Sequence, residues 1–177
     1  GYHSMPVITD AYMNGVKGFD AQHALDAMIV SSNNAEHEDL QMFIHQQYIS
    51  ADKLNESVSK TLEYSYDDWC IATLAHALGK DSIANIYYNR CNHFQNVWDD
   101  SSQFFRARKS GQWISPFNPY EVNSYYTEAN AWQYLFAVQQ DISGLKNLLG
   151  SDSAFAKKLD SLFNTKSNLA GRDQPDI

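Results

Sequence analysis

The chain has 177 residues, 44% of them hydrophobic and 19% charged, which is enough for one globular domain with a real core and excludes a disordered segment. The formal net charge of −8 argues against a nucleic-acid partner, because phosphate binding depends on clustered Lys and Arg. No apolar run reaches the roughly 18 residues that a membrane-spanning helix needs. The aromatic share of 14% exceeds what a small helical core requires and points to a ligand surface.

Helical periodicity dominates the first half of the chain. The pattern predicts a helix from about Asp20 to Ser31. In "SVSKTLEYSYDDWCIATLAHALGK", apolar residues recur on one helical stripe, with Ser59 as the predicted N-cap and Gly79 just past the predicted end. Asp81 then offers the N-cap of a following helix. Because the link between them is so short, these two helices are predicted to run antiparallel.

A long segment without helical period follows, from Asp99 to Thr127. Its many aromatic residues predict an ordered loop, and loops of this length are usually functional. Within it, "FFRARKSGQW" predicts a small hairpin around a Ser-Gly turn. Thr127 is predicted to cap a helix that continues to about Gln139, and "DISGLKNLLG" and "DSAFAKKLDSLFN" predict two more short helices. The fold class is therefore predicted to be all-α, with antiparallel helix pairs and a long aromatic-rich loop.

The cysteines and histidines predict no metal or redox site in this chain. Cys70 and Cys91 have no metal or redox spacing. If they lie level on two paired helices, axes about 8–10 Å apart hold their Cα atoms too far apart for a disulfide. We therefore expect two free, buried thiols. His37, Glu38 and His45 lack the HExxH spacing of a zinc site.

Carboxylates beside aromatic residues are the remaining chemical signal. In "LEYSYDDWC", Glu63 and Asp67 are four residues apart on one helical face, with Asp68 adjacent. Like charges at this spacing repel each other and weaken a helix slightly. Such a cluster is typical either of an acidic solvated face or of a site for a cation, a hydroxyl-rich ligand or a buried hydrogen-bond network. Asp67 and Asp68 could thus shape a pocket or brace neighbouring helices.

A single carboxylate, Glu128, stands among aromatic residues in "YTEANAWQY". Sugar hydrolases need one carboxylic acid with a raised pKa to protonate the leaving oxygen. Apolar surroundings such as Tyr126 and Trp132 would raise the pKa of Glu128 by disfavouring its charged form. A position at the start of a helix would instead favour the anion. The sequence leaves the two effects unresolved.

Several long stretches resemble one known enzyme family. "SKTLEYSYDDWCIATLAHALGK", "GQWISPFNP", "TEANAWQYLFAVQQDISGL" and "LDSLFN" occur in an order and spacing similar to glycoside hydrolase family 92, the exo-acting α-mannosidases. The opening "GYHSMPVITDAYMNGVKGFD" and the closing "GRDQPDI" resemble it as well, so the resemblance covers essentially the whole chain. It implies a calcium-dependent enzyme that releases terminal mannose with inversion of the anomeric configuration.

The resemblance also implies how the chain fits into a longer protein. Members of this family pair an N-terminal β-sandwich domain with an (α/α)6-barrel catalytic domain. Residues 1–177 would be a segment of that barrel, with the sandwich and the C-terminal part of the barrel outside this chain. The implied partners are a mannose-containing glycan and the remaining parts of the same enzyme. The family also implies a bacterial protein that is periplasmic, attached to the cell surface or secreted.

Within the family the general acid is a Glu in a motif like "EGNAWQY", which "EANAWQY" matches here. This match implies that Glu128 protonates the glycosidic oxygen. The family's base, an Asp, and most of the calcium ligands would lie beyond Ile177. Two departures stand out. Ala129 replaces the usual Gly, and an alanine would be strained there if the position needs a positive φ. Asn118 stands where Asp is common.

Further site residues are predicted around this acid. Trp113 and Tyr126 are our candidates for stacking against sugar rings, and Arg106 is a candidate for binding a substrate hydroxyl, although a solvated loop arginine is the simpler interpretation. Two other functions stay open: another (α/α)6 glycosidase acting on a different sugar, and a non-catalytic helical module that binds sugar or protein through the aromatic loop.

Overall fold

A computed structural model of the chain describes residues 2–165 and 170–171. The helices are α1 (Ser4–Met13), α2 (Ala21–Ser32), α3 (Glu38–Gln46), α4 (Ser57–Ala77), α5 (Asp81–Arg90), α6 (Ala131–Tyr134), α7 (Ile142–Leu148) and α8 (Asp152–Asn164), with a 3-10 helix at Cys91–Val97. The strands are β1 (Trp98–Asp99), β2 (Phe104–Phe105), β3 (Arg108–Lys109), β4 (Gln112–Trp113), β5 (Glu121–Val122) and β6 (Ala170–Gly171). The prediction of a mainly helical fold is confirmed, and residues 172–177 of the closing motif lie outside the described part.

The chain divides into two compact units. The first comprises Gly1–Ile49 and Lys60–Asn96, and the second Ser50–Ser59 and Val97–Ile177. The first unit contains α1, α2, α3, α5 and all but the first turn of α4. The second contains the strands and α6 to α8. In the described ranges, none of the helices has the length and apolar character to cross a membrane.

Helix α4 is the core of the first unit. Its Leu62, Ile71 and Leu74 are completely buried, and only about every third residue along the helix is partly exposed. A helix that is buried on most sides is a central helix rather than a surface helix with one apolar stripe. The single stripe predicted from the sequence was therefore too narrow. The buried Asp67 and Asp68 also show that the prediction of an acidic solvated face is wrong for these two residues.

The predicted helix boundaries were partly right. Asp20 is the N-cap of α2, and its carboxylate accepts a hydrogen bond from the His23 amide at 3.0 Å. Gly79 follows α4 with φ +71°, which glycine adopts without strain. Two N-cap predictions were wrong. Helix α4 already begins at Ser57, so Ser59 lies inside its first turn. Asp81 is the first residue of α5 and not its N-cap.

A buried ion pair joins α4 to α5 in the first unit. The Arg90 guanidinium donates to both carboxylate oxygens of Asp68, each at 2.6 Å. Its remaining donors reach the Ser32 carbonyl and the Asn33 side chain. Burial raises the pKa of Asp68 to about 6, and the bonds from Arg90 offset only part of this effect. The arrangement favours the bracing role over the pocket-shaping role for Asp68.

Short antiparallel hairpins organise the aromatic loop of the second unit. Strand β1 pairs with β2, and β3 pairs with β4. The predicted hairpin in "FFRARKSGQW" is confirmed. Its two turn residues, Ser110 and Gly111, have φ of +48° and +77°, as a type I′ turn requires. The loop is thus ordered by its own backbone pairing and presents Trp113 at the end of β4.

Asp99 and Arg106 link the first hairpin to the next part of the loop. The Arg106 guanidinium donates to the Asp99 carboxylate at 2.5 Å and to the Ile114 carbonyl at 2.6 Å. Burial by itself raises the pKa of Asp99, but hydrogen bonds from Ser102, Arg106 and Ser101 outweigh it and lower the pKa to about 2.

The C-terminal part of the second unit is also helical. Helix α6 starts after Asn130 and contains only four residues, so the prediction that Thr127 caps a longer helix is wrong. Helices α7 and α8 are N-capped by Asp141 and Ser151 and match the two short predicted helices. In the first unit, Cys70 and Cys91 are both buried thiols, as expected.

The Asp68–Arg90 pair gives a first prediction. Arg90→Met should lower the free energy of unfolding by about 3–5 kcal/mol, because it leaves the Asp68 carboxylate buried without its cation. Urea denaturation measures this change. The matched control is Asp81→Asn, which breaks the exposed ion pair with His76 and should cost much less. The double variant Arg90→Met with Asp68→Leu should recover part of the loss. A double variant less stable than Arg90→Met would contradict this account.

The Asp99 cluster gives a prediction about acid stability. A carboxylate whose pKa is depressed on folding stabilises the protein above its unfolded pKa, near 4, and this contribution is lost as the pH falls through about 2. The stability difference between wild type and Asp99→Asn should therefore shrink by about 2 kcal/mol as the pH falls from about 5 to about 2. Urea denaturation across this pH range measures it. A difference that stays constant with pH would show that Asp99 does not carry this charge effect.

Candidate active site

Glu128 lies on a bend just before helix α6, between the buried residues Tyr126 and Ala129. Its side chain is exposed, and within the described residues it has no hydrogen bond or ion pair from any side chain. Because Asn130 is the N-cap of α6, Glu128 precedes the helix and is not in its first turn. A position in the first turn of a helix was one of the two effects that the sequence left unresolved, and it would favour the charged form of this carboxylate. Glu128 does not occupy such a position.

The expected aromatic enclosure of Glu128 is absent from the described part of the chain. Tyr126 is only 3% exposed and donates its hydroxyl to the Phe105 carbonyl at 2.7 Å. Trp132 packs edge-to-face on Phe104, with ring centroids 4.8 Å apart. Both rings are thus used in the core of the second unit. The prediction that they surround the acid is wrong, and so is the choice of Tyr126 as an accessible sugar-stacking ring, because packing covers its faces.

The backbone at Glu128 adopts the left-handed conformation. Its φ is +49°, whereas Ala129 is not among the residues with positive φ. The strain expected at Ala129 is therefore absent, and it falls on the acid itself. A non-glycine residue in this region costs on the order of 1–3 kcal/mol and persists only where the surroundings impose it. Such outliers cluster at functional sites, which makes the turn a reasonable candidate.

The residues on both sides of Glu128 are firmly anchored. On the C-terminal side, Asn130 and Gln133 form a capping box, in which each side chain accepts a hydrogen bond from the backbone amide of the other residue at 3.2 and 3.0 Å. On the N-terminal side, the Thr127 amide donates to the Ser59 hydroxyl at 2.8 Å. The spacing of Asn130 and Gln133 could have shown the capping box in the sequence. No sequence signal pairs Ser59 with Thr127.

Trp113 is the candidate site residue with an accessible ring. It is half-buried at the end of β4, and the Arg108 guanidinium lies 5.0 Å from its ring centroid. The structure places no contact between this ring and Glu128 in the described residues. Trp113 therefore keeps the partly exposed, rigid surface that a stacking platform needs.

Arg106 is buried and largely occupied by structural contacts. Asp99 and the Ile114 carbonyl take two of its guanidinium nitrogens, and Phe117 lies 4.5 Å below the group. The cavity beside it measures about 20 Å³, which holds a single water molecule and not a sugar. The predicted role of Arg106 in binding a substrate hydroxyl is therefore not supported, and neither is the solvated-arginine interpretation.

In the first unit, Asp67 is completely buried and faces a histidine. His3 Nδ1 lies 2.7 Å from one Asp67 oxygen, and His3 Nε2 lies 3.5 Å from Glu63. The hydrogen bond with Asp67 raises the pKa of His3, while burial raises the pKa of Asp67. The other Asp67 oxygen has no partner among the described residues. The repulsion expected between Glu63 and Asp67 is thus relieved by an intervening imidazole.

The described residues do not form a metal centre. Nowhere in residues 2–165 and 170–171 do three or more His, Cys, Asp or Glu side chains come together as a metal ion would require. Calcium prefers six to eight oxygen ligands, and the described residues gather no such set of carboxylates. The residues present therefore do not fit a complete calcium site.

The sequence matches the profile of the glycosyl hydrolase family 92 catalytic domain over residues 1–176. An uncharacterized secreted glycosidase from Arthroderma benhamiae is 31% identical over 150 residues, which are 71% of this chain and 19% of that protein. The chain therefore spans about a fifth of this curated relative.

Two solved bacterial enzymes have a closely similar fold. A family 92 α-mannosidase from Bacteroides thetaiotaomicron superposes with a TM-score of 0.88 and 39% identity, covering 94% of this chain and 22% of that one. A family 92 inverting mannosidase from the same organism gives a TM-score of 0.85 and 32% identity, covering 89% of this chain and 22% of that one. The mainly helical fold of this chain thus matches part of each structure, and the chain belongs to glycosyl hydrolase family 92.

Proposed function

We propose that this chain is a segment of an inverting α-mannosidase and that Glu128 is its general acid. The observation that carries the proposal is the state of Glu128. It is exposed, without a side-chain partner among the described residues, and held on a strained backbone between two anchored neighbours. A carboxylate placed in this way can approach a substrate oxygen. In a structural carboxylate such as Asp68, both oxygens already accept hydrogen bonds from Arg90.

In the proposed reaction Glu128 gives a proton to the glycosidic oxygen as the bond to mannose breaks. An Asp beyond Ile177 takes a proton from a water molecule that attacks the opposite face of the sugar. Inverting enzymes keep the two carboxyl groups about 6.5–9.5 Å apart to leave room for this water. In this proposal, parts of the enzyme outside this chain cover Glu128 and exclude water from the site.

Mannose as the substrate is proposed from the relatives. One similar α-mannosidase structure contains mannoimidazole; it has a TM-score of 0.88 and 37% identity, covering 95% of this chain and 23% of that one. That complex concerns the relative, and for this chain we propose a terminal mannose of a glycan or mannan as the group released. Trp113, with its partly exposed ring, is our candidate for contact with the sugar.

Other parts of the proposal concern the protein beyond this segment. We propose an N-terminal β-sandwich domain, the remainder of an (α/α)6 barrel and a calcium ion held mainly by residues outside this chain. When bound, calcium would contact sugar hydroxyls and help to distort the ring. Export to the periplasm, the cell surface or the medium is proposed as well, since the fungal relative is called secreted.

The proposal predicts the effect of Glu128→Gln in the full-length enzyme. The kcat for a mannose disaccharide should fall by about 10²–10⁴-fold, because the amide cannot donate the proton. A dinitrophenyl α-mannoside should be affected far less, because its leaving group departs without protonation. Steady-state kinetics on both substrates measures this difference. The matched control is Glu36→Gln, which makes the same change at an exposed glutamate of the first unit and should leave both rates unchanged.

Two results would contradict the proposal. An unchanged rate on the disaccharide would remove Glu128 from the mechanism. Equal losses on the two substrates would show that Glu128 does not act as a proton donor to the leaving group. A full-length protein that binds mannose glycans without releasing mannose would instead support the non-catalytic binding module.

A further inference from the structure

The start of helix α4 runs beside the segment that leads to Glu128, and at least three hydrogen bonds between described residues join them. The Glu56 amide donates to the Ser124 carbonyl at 2.6 Å, and the Val58 amide donates to the Tyr125 carbonyl at 3.1 Å. The third bond runs in the opposite direction, from the Thr127 amide to the Ser59 hydroxyl at 2.8 Å. Of these three bonds, the third is made by a side chain, and it lies next to the acid.

The Ser59 hydroxyl has an unusual use for a serine inside a helix. Such hydroxyls commonly bond to the carbonyl one turn earlier, as Ser65 does with the Thr61 carbonyl at 2.8 Å. Ser59 instead accepts from an amide 68 residues away. Both serines are completely buried on α4, so burial alone does not account for the contact. The distinguishing feature of Ser59 is its partner, the residue that precedes Glu128.

This contact coincides with the strained backbone of the acid. The amide that Ser59 fixes belongs to the peptide between Tyr126 and Thr127, so a single residue, Thr127, separates it from Glu128 at φ +49°. On the other side, the capping box of Asn130 fixes the chain two residues later. A left-handed non-glycine residue relaxes unless its surroundings hold it. Removal of the Ser59 bond would release the N-terminal side of the turn, and the carboxylate would no longer be held in one direction.

We propose that Ser59 is a positioning residue for the general acid: its hydroxyl fixes the Thr127 amide and thereby sets the direction in which Glu128 presents its carboxyl group. This inference rests on the proposed function of Glu128. Ser59 does not touch the substrate in this proposal. It acts on catalysis through the backbone of the turn alone.

The test uses the full-length enzyme with Ser59→Ala, and with Ser65→Ala as the matched control. Ser59→Ala should lower kcat for a mannose disaccharide by about 10- to 100-fold, since a displacement of about 1 Å in a catalytic group can cost that much. KM should stay within about twofold. The rate on dinitrophenyl α-mannoside should fall much less, because that reaction does not need the acid. Ser65→Ala should leave the ratio of the two rates unchanged, and Ser59→Thr, which keeps the hydroxyl, should restore it.

A second variant covers the case in which Ser59→Ala does not fold. Ser59→Cys has nearly the same size but a weak acceptor, and it should show the same dependence on the leaving group to a smaller extent. Equal losses on the two substrates in a folded variant, or no loss on either, would overturn the inference.

Comparison of Ser59→Ala with Glu128→Gln tests the positioning role of Ser59 separately from the general-acid role of Glu128. If Glu128→Gln discriminates between the substrates and Ser59→Ala does not, the positioning role is wrong and the proposed function stands. If Glu128→Gln itself fails to discriminate, the proposed function is wrong and the inference falls with it.

Discussion

The backbone contact between the first turn of α4 and the segment before Glu128 is the constraint on which the candidate site depends. The first three residues of α4, at positions 57–59, belong to the second unit and are completely buried. Three hydrogen bonds carry the position of the turn over to residues 124–127. A carboxylate on an exposed loop would otherwise sample many directions. Here the loop is tied to buried residues of the same unit, which is how a fold can hold a reactive group exposed and still fixed.

The same helix shows how buried charge is handled away from the candidate acid. Asp68 is neutralised by a two-point contact with Arg90, and Asp67 faces the imidazole of His3. Both aspartates are completely buried. Asp68 uses both oxygens for bonds to Arg90, whereas Asp67 uses one, and its other oxygen has no partner among the described residues. Asp99 and Arg106 repeat this arrangement in the second unit. These three carboxylates are buried and make structural bonds. Glu128, in contrast, is exposed and has no side-chain partner in the described ranges. That contrast separates a structural acid from a candidate catalytic one.

Membership of family 92 and the incomplete site are consistent with each other. The chain spans about a fifth of the relatives to which it was compared, so a pocket built by several parts of a barrel would be only partly present in it. The described residues hold one candidate acid and one partly exposed candidate for sugar stacking, Trp113. They do not contain a complete metal site.

The sequence by itself determined the helical class, the start of helix α2 near Asp20, the turn at Ser110 and Gly111, and the family. These features depend on local periodicity, short-range hydrogen bonds, the freedom of glycine at positive φ and long motifs. All of them involve residues that lie close together in the sequence. It also identified Glu128 as a candidate acid, but through the family motif and not through its surroundings. Tertiary structure decided the rest. Whether Tyr126 stacks on a sugar or packs in a core, and whether Arg106 meets solvent or Asp99, depends on which surfaces are covered when distant segments pack together. The bond from Thr127 to Ser59 joins residues far apart in the chain, and no spacing rule relates them, because only the folded path of the backbone brings that amide to that hydroxyl.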